Sequence, residues 1–371
     1  MSSLDRAMLD HAARLAIRGM GDVEPNPMVG CIIGRDDGTI LGSGHHRRFG
    51  GPHAEIDALQ ACGRRGTDPR GATAWVTLEP CSHTGKTPPC SQALIDAGIS
   101  RVVIARRDPG AHSGGGLEDL RDAGIDVEQT TVSAAATHVS DPFVHRVRTG
   151  LPWVIAKWAQ TIDGRIATSA GESKWITNNI SRRHVHRLRG CVDVILTAMG
   201  TVRADDPCLT ARAVPVRRIA RRAVIDPRLE LPLDSALMRS TRTAPVSIYA
   251  AAGASDDARR RLAEAGATVV MTEATDDIQL DDVLRHLVAS HGATTVMLEA
   301  GPNLLGRCLH AGVINEAWVY IAPKLMADPD AKPAIEGHPL ERLANIPTMS
   351  LVHTKRLGDD VLVRYRRMMS A

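Results

Sequence analysis

His53-Ala54-Glu55, Pro80-Cys81 and Cys90 are the residues of this chain whose types and spacing are most suited to chemistry. One imidazole and two thiolates supply three of the four tetrahedral ligands that zinc prefers, leaving the fourth position to a water molecule. Bound zinc lowers the pKa of such a water from near 16 to roughly 7, and a neighbouring carboxylate, here Glu55, can carry the proton to a leaving group. That chemistry is hydrolytic deamination. Base deaminases carry a Pro-Cys-x-x-Cys spacing, whereas eight residues separate Cys81 from Cys90 in this chain. The longer loop is a place for substrate contacts. Two plainer readings stand beside this one. Each Cys taken singly reads as a buried thiol, and with His83 as a fourth ligand the site reads as structural, which leaves Glu55 without a task.

The elements that must position these groups are legible from pattern. Gly50-Gly51-Pro52 followed by an apolar face at Ile56, Ala58 and Leu59 predicts a helix over residues 53–62, with His53 and Glu55 in its first turn. Residues 72–78 read as a strand that delivers Glu79-Pro80-Cys81 at its end, and Cys90 opens a helix after Pro88-Pro89. A first helix over 4–19, a hairpin around Asp36-Asp37-Gly38, and strands at 101–105 and 125–127 flanking a helix at 117–123 complete a mixed α/β half. Turn formers and charges between residues 139 and 152 place a domain boundary there, with domains of 1–148 and 149–371. Downstream, strands at 192–197, 223–225, 246–249, 268–271, 295–298 and 317–321 alternate with helices at 181–188, 256–265, 280–290 and 303–311. This is βα alternation around a sheet.

The second half lacks Gly-x-Gly-x-x-Gly after a strand, which argues against a doubly wound dinucleotide fold. Gly301-Pro302-Asn303-Leu304-Leu305-Gly306-Arg307 instead follows a strand and opens a helix, where free N–H groups and the helix dipole suit a pyrophosphate. By spacing alone an ordinary strand-to-helix turn explains this segment better.

The 371 residues carry a net charge of only +3 and 3% aromatic residues, so neither bulk electrostatics nor stacking platforms support a nucleic-acid role. Seven scattered cysteines indicate reduced thiols. The sequence shows no apolar signal core and no run of about 18 apolar residues, so the expectation is a cytoplasmic protein without a membrane partner.

Three segments together resemble the bifunctional deaminase/reductase family of bacterial riboflavin biosynthesis: Pro25-Asn26-Pro27-Met28-Val29-Gly30-Cys31, Gly51-Pro52-His53-Ala54-Glu55, and Thr77 through Cys90. Asp163-Gly164-Arg165, Gly171 through Thr177, Thr201 through Pro207 and Glu299-Ala300-Gly301-Pro302 resemble its reductase motifs in the same order. The resemblance runs from about residue 4 to about residue 366. It implies a cytidine-deaminase-like α/β/α domain followed by a dihydrofolate-reductase-like α/β domain. It also implies zinc-dependent deamination of 2,5-diamino-6-(5-phosphoribosylamino)pyrimidin-4(3H)-one, then NADPH-dependent reduction of the ribosyl group of the product to ribityl. Carried over by motif, His53, Cys81 and Cys90 hold one zinc ion, Glu55 shuttles the proton, and Asn26, His45 and Lys86 contact the deaminase substrate. NADPH contacts fall on Ala159, Trp175, Thr201, Asp205, Gly301, Pro302, Asn303, Leu304, Leu305, Gly306 and Arg307. Reductase substrate contacts fall on Lys157, Ser173, Arg189, Leu209, Arg212 and Glu299, with arginine forks suited to phosphate. Partners are therefore small phosphorylated pyrimidines, and homo-oligomer formation is compatible with this reading. A polynucleotide base deaminase with a C-terminal binding module is the alternative. The short basic stretch Arg217, Arg218, Arg221 and Arg222 departs from the family pattern and is a candidate for the 2′-phosphate of NADPH.

Overall fold

The computed structural model describes residues 2–83, 88–110, 113–275, 277–337, 342 and 346–367. The chain divides into two compact units, Met1–Leu151 and Pro152–Ala371.

The first unit opens with α1 (Ser3–Ala16), whose first turn is closed by a capping box between Ser2 and Asp5. Strands β1 (Gly30–Gly34) and β2 (Ile40–His45) form a hairpin. Then come α2 (Ala54–Arg65), β3 (Thr73–Val76), α3 (Cys90–Asp96), β4 (Arg101–Ile104), α4 (Gly116–Asp122), β5 (Asp126–Gln129), α5 (Ala134–His138) and α6 (Asp141–Thr149). The sheet order is β2-β1-β3-β4-β5, with β1 antiparallel to both its neighbours and β3, β4 and β5 parallel.

Strand alternation separates two cores. Cys31, Ile33, Ala74, Val76, Val102 and Ile104 pack with Ala54 and Ala58 of α2, Leu94 of α3 and Leu117 and Leu120 of α4. Ile32, Trp75 and Val103 face the other way, toward Met8, Leu9 and Ala12 of α1. The result is an α/β/α sandwich. The close seat of α2 depends on β2: a Cβ at Gly44 would lie 2.3 Å from the Ala58 nitrogen and 2.5 Å from the Ala54 oxygen. The boundary segment near 139–152 contains α6, with Pro142 in its first turn and Gly150 in the left-handed C-cap. Turn formers there serve as helix ends.

The second unit begins with β6 (Trp153–Gln160), β7 (Arg165–Ala167), α7 (Asn179–Arg189), β8 (Val194–Ala198), α8 (Met199–Asp205) and β9 (Arg221–Ile225). It continues through α9 (Ala236–Arg239), β10 (Val246–Ala250), α10 (Asp256–Glu264), β11 (Thr268–Met271), α11 (Leu280–His291), β12 (Thr295–Leu298) and α12 (Pro302–His310). Strands β13 (Glu316–Ile321), β14 (Lys332–Pro333), β15 (Ser350–Leu357) and β16 (Asp360–Arg366) complete it. The large sheet runs β11-β10-β9-β8-β12-β6-β13-β16-β15, parallel from β11 to β13 and antiparallel over the last two strands. Because β12 and β13 flank β6 in register, Lys157 of β6 and Glu299 just after β12 meet at one end of the sheet centre.

Candidate active sites

In the first unit residues at the start of two helices and beyond the end of one strand converge. His53 is the N-cap of α2 in extended conformation, one residue outside the expected first turn, and Glu55 lies in that turn. Cys90 opens α3, and Cys81 follows the end of β3. His53 Nδ1 stands 3.5 Å from Cys81 Sγ and 3.3 Å from Cys90 Sγ, and the three ligand atoms lie within 4.8 Å of one another. A tetrahedral zinc with ordinary bond lengths needs roughly 3.5 Å between its nitrogen and sulfur ligands, so the donor set fits that ion. His83 is exposed, and the convergent triplet among the described residues is His53, Cys81 and Cys90. Hydrogen bonds from Cys90 and His53 hold the Cys81 thiol well below its ordinary range, which is the charge state of a metal ligand.

Glu55 is 3% exposed. Burial first, and then the Cys81 thiolate, push its carboxyl up to about 7, where a proton is taken and returned at neutral pH.

Beside the ligands lies a network built on His46, the chain neighbour of the expected substrate contact His45. Asn26 Nδ2 donates to His46 Nε2 at 3.2 Å, His46 Nδ1 donates to the Pro52 carbonyl at 2.9 Å, and the His46 ring meets His53 edge-on. The expectation had fallen on His45, whose backbone N–H binds Asp57. Asp57 also takes the Arg47 guanidinium at 3.0 Å, so it grips both chain neighbours of His46. Successive residues at a strand end face opposite ways, and the His45-His46 doublet carries no sequence signal for which one turns inward. Lys86 lies outside the described residues.

In the second unit Glu299 is 7% exposed and clamped. Arg189 Nε and Nη2 donate to its two oxygens at 2.5 and 2.8 Å, and Lys157 Nζ donates at 3.2 Å. Burial raises the Glu299 carboxyl, but Arg189 and Lys157 outweigh it and hold the group far below the ordinary range. The Arg189 fork, expected on a phosphate, therefore faces Glu299, with a further contact to the Thr210 carbonyl. Leu209 is buried with a left-handed backbone, and Arg212 is exposed.

Two of the expected cofactor residues, Thr201 and Asp205, lie on α8, a helix that the sequence pattern does not predict. Thr201 Oγ1 accepts the Gly301 N–H at 3.0 Å at the start of α12, while Asp205, one turn on, accepts from Ser173 Oγ and pairs with Lys174, both at 3.2 Å. Trp175 is 63% exposed, under the Arg182 guanidinium at 4.4 Å. Ala159 lies on β6 opposite Tyr320. Gly301 is the N-cap of α12, Pro302 opens it, and Asn303, Leu304, Leu305, Gly306 and Arg307 continue it. Two residues of the basic stretch, Arg221 and Arg222, lie on β9 and bind groups inside the fold, whereas Arg217 is exposed. Arg222 is fully buried against the Cys208 and Ser240 carbonyls, Arg218 pairs with Asp193, and Arg221 donates to Ser247.

Residues 2–106 match the model of the cytidine and deoxycytidylate deaminase zinc-binding region, and residues 152–363 match that of the RibD C-terminal domain. The riboflavin biosynthesis protein RibD of Escherichia coli K12 is 39% identical over 364 residues, covering 96% of this chain and 98% of that protein. Its counterpart in Aquifex aeolicus VF5 is 36% identical, covering 98% and 99%. The solved structure of Acinetobacter baumannii RibD aligns with a TM-score of 0.80 at 33% identity over 99% of both chains. A diaminohydroxyphosphoribosylaminopyrimidine deaminase/5-amino-6-(5-phosphoribosylamino)uracil reductase from Thermotoga maritima also gives 0.80, at 30% identity over 98% and 99%.

Proposed function

Since the chain belongs to the RibD family of riboflavin biosynthesis, a bifunctional deaminase and reductase, we propose that its two sites act in succession on phosphorylated pyrimidines. The observation that carries the reading is the convergence of His53, Cys81 and Cys90 beside a buried carboxylate, Glu55. His53, Cys81 and Cys90 hold one zinc ion per chain. Zinc in such a site supplies an acidified water and a Lewis acid. Glu55 takes a proton at its carboxylate and returns it to the departing amino group of 2,5-diamino-6-(5-phosphoribosylamino)pyrimidin-4(3H)-one, which leaves as ammonia. Asn26, held by His46, offers its amide oxygen and remaining N–H to the pyrimidine edge. Lys86 is assigned to the phosphate on grounds of its motif position.

In the second site bound NADPH would supply the hydride that reduces the ribosyl group of 5-amino-6-(5-phosphoribosylamino)uracil. The Gly301 N-cap has no side chain with which to close the first turn of α12, so N–H groups there suit a phosphate of the cofactor. Thr201 fixes that turn, and Trp175, Ala159 and Asp205 border the cofactor. Lys157 and Glu299 orient the sugar with Ser173, Leu209 and Arg212, while Arg189 holds Glu299 in place. The reaction takes place in the cytoplasm and needs neither nucleic acid nor membrane; no helix among the described residues is long and apolar enough to cross one. Assembly of copies of the chain is compatible with this reading.

The test is a single-tube assay: ammonia release on adding the diaminopyrimidine, followed by NADPH oxidation. Glu55→Gln is expected to retain zinc and NADPH oxidation on pre-deaminated substrate while losing about 10²–10⁴-fold in ammonia release. Full deaminase activity in that variant overturns the assigned role.

A further inference from the structure

We propose that Glu79 is a positioning residue for the deaminase centre, and that with Gly116 it sets where Cys81 stands. The inference rests on the reading of Cys81 as a zinc ligand. β3 ends at Val76, so the next five residues, which carry the ligand, lie beyond the strand and need another means of fixation. Glu79, two residues before Cys81 and 6% exposed, provides one. Its Oε2 accepts the Asp108 N–H at 3.1 Å, and its Oε1 accepts those of Gly115 at 2.9 Å and Leu117 at 3.3 Å. Its own N–H donates to the Arg106 carbonyl at 2.9 Å. One carboxylate thus ties the segment that follows β4 and the entry of α4 to the segment that presents Cys81.

The other side of that segment is fixed by contact. A Cβ at Gly116 would lie 1.9 Å from the Pro80 carbonyl oxygen, so α4 begins in direct contact with the residue preceding the ligand. Ser82 Oγ donates to the Gly114 carbonyl at 2.6 Å, and the Ser91 N–H donates to the Cys81 carbonyl at 3.2 Å. A buried carboxylate satisfied by three backbone donors is a rigid arrangement, because removing any partner leaves a charged oxygen or an N–H without its bond. Outer residues that orient metal ligands typically affect metal affinity 10–100-fold.

The experiment uses the full chain. Zn²⁺ affinity is measured by competition with a chelator, and the thiolate-to-metal charge-transfer band is recorded after loading with Co²⁺. Glu79→Gln preserves volume but turns an amide N–H₂ toward backbone donors. It is expected to weaken Zn²⁺ binding 10–100-fold and to diminish the charge-transfer band, with NADPH oxidation unchanged. Gly116→Ala pushes Pro80 from the opposite side without touching the carboxylate, and is expected to change the band in the same direction. If both variants bind Zn²⁺ and show the Co²⁺ band as the wild type does, while Cys81→Ser loses them, the positioning role is wrong and the zinc reading stands. If Cys81→Ser also binds Zn²⁺ as tightly as the wild type and shows the band at full intensity, both fall.

Discussion

Two buried glutamates, one in each unit, have opposite surroundings. Glu55 faces an imidazole and two thiols and is pushed up to about 7, whereas Glu299 is gripped by Arg189 and Lys157 and held far below the ordinary range. Burial acts on both in the same direction, so the difference lies in the neighbours. A carboxylate poised near neutrality exchanges protons. One that stays ionised is a fixed anion that orients cations. The two units therefore solve different problems with the same side chain, and parallel substitutions separate them.

The largest effect is expected from Glu299→Gln set against Glu55→Gln. Removing the Glu299 charge leaves Lys157 and Arg189 side by side in a buried place, and breaking such a pair costs about 3–5 kcal/mol. Hydrogen exchange resolved to each unit is expected to show the second unit weakened by Glu299→Gln. Glu55→Gln removes no cation's partner, and the first unit is expected to keep its protection. Equal losses in both would break the comparison.

His46→Ala comes next. It leaves the Asn26 amide donor and the Pro52 carbonyl without their partner, a cost of about 1–3 kcal/mol. If Asn26 meets the pyrimidine, the deaminase kcat/KM falls about ten- to hundredfold and the reductase kcat/KM is unchanged. A loss in both activities would show that His46 acts on the fold instead of the site.

The first unit does contain a clamped carboxylate, and it sharpens the contrast. Burial raises Asp5, but Arg101, Trp75 and Ser2 outweigh it and hold the carboxyl at about 2, below the ordinary 3.8. A depressed folded pKa contributes stability above the unfolded value and loses it as pH falls through the folded one. Asp5→Asn is therefore expected to cost about 1–2 kcal/mol at neutral pH, after allowance for solvent screening. The difference from wild type should shrink between pH 3.8 and about 2, as followed by acid unfolding. Such a clamp stabilises; it does not catalyse.

The legible parts were those written locally. Helix starts at Pro52 and Pro89, the β strands 268–271 and 295–298, and the metal triplet all follow from turn formers, apolar period and ligand type. What sequence reading missed depends on partners distant in the chain. The helix α8 is short and has Gly200 and Thr201 within it, a weak local pattern that packing overrides. The hairpin of β15 and β16 is exposed along nearly all of its outer strand, so burial leaves no alternation to read. Arg189 is expected at the substrate by family resemblance, and Arg222 is a candidate for the 2′-phosphate of the cofactor. The sheet turns one onto Glu299 and the other onto carbonyls.

The smallest expected effect tests whether α8 matters to the second site as Glu299 does. Thr201→Val preserves shape and removes the acceptor of the Gly301 N–H, a neutral hydrogen bond of about 0.5–1.5 kcal/mol. If that bond fixes the first turn of α12 for a cofactor phosphate, KM for NADPH rises about two- to tenfold while kcat stays within error. The clamp on Glu299 predicts the converse pattern for Arg189→Met, a loss in kcat with stability, because Arg189 holds Glu299, the group proposed to orient the sugar. Should Thr201→Val instead lower kcat and leave KM untouched, α8 serves the reacting end of the site, and the division between cofactor grip and sugar orientation drawn for this unit does not hold.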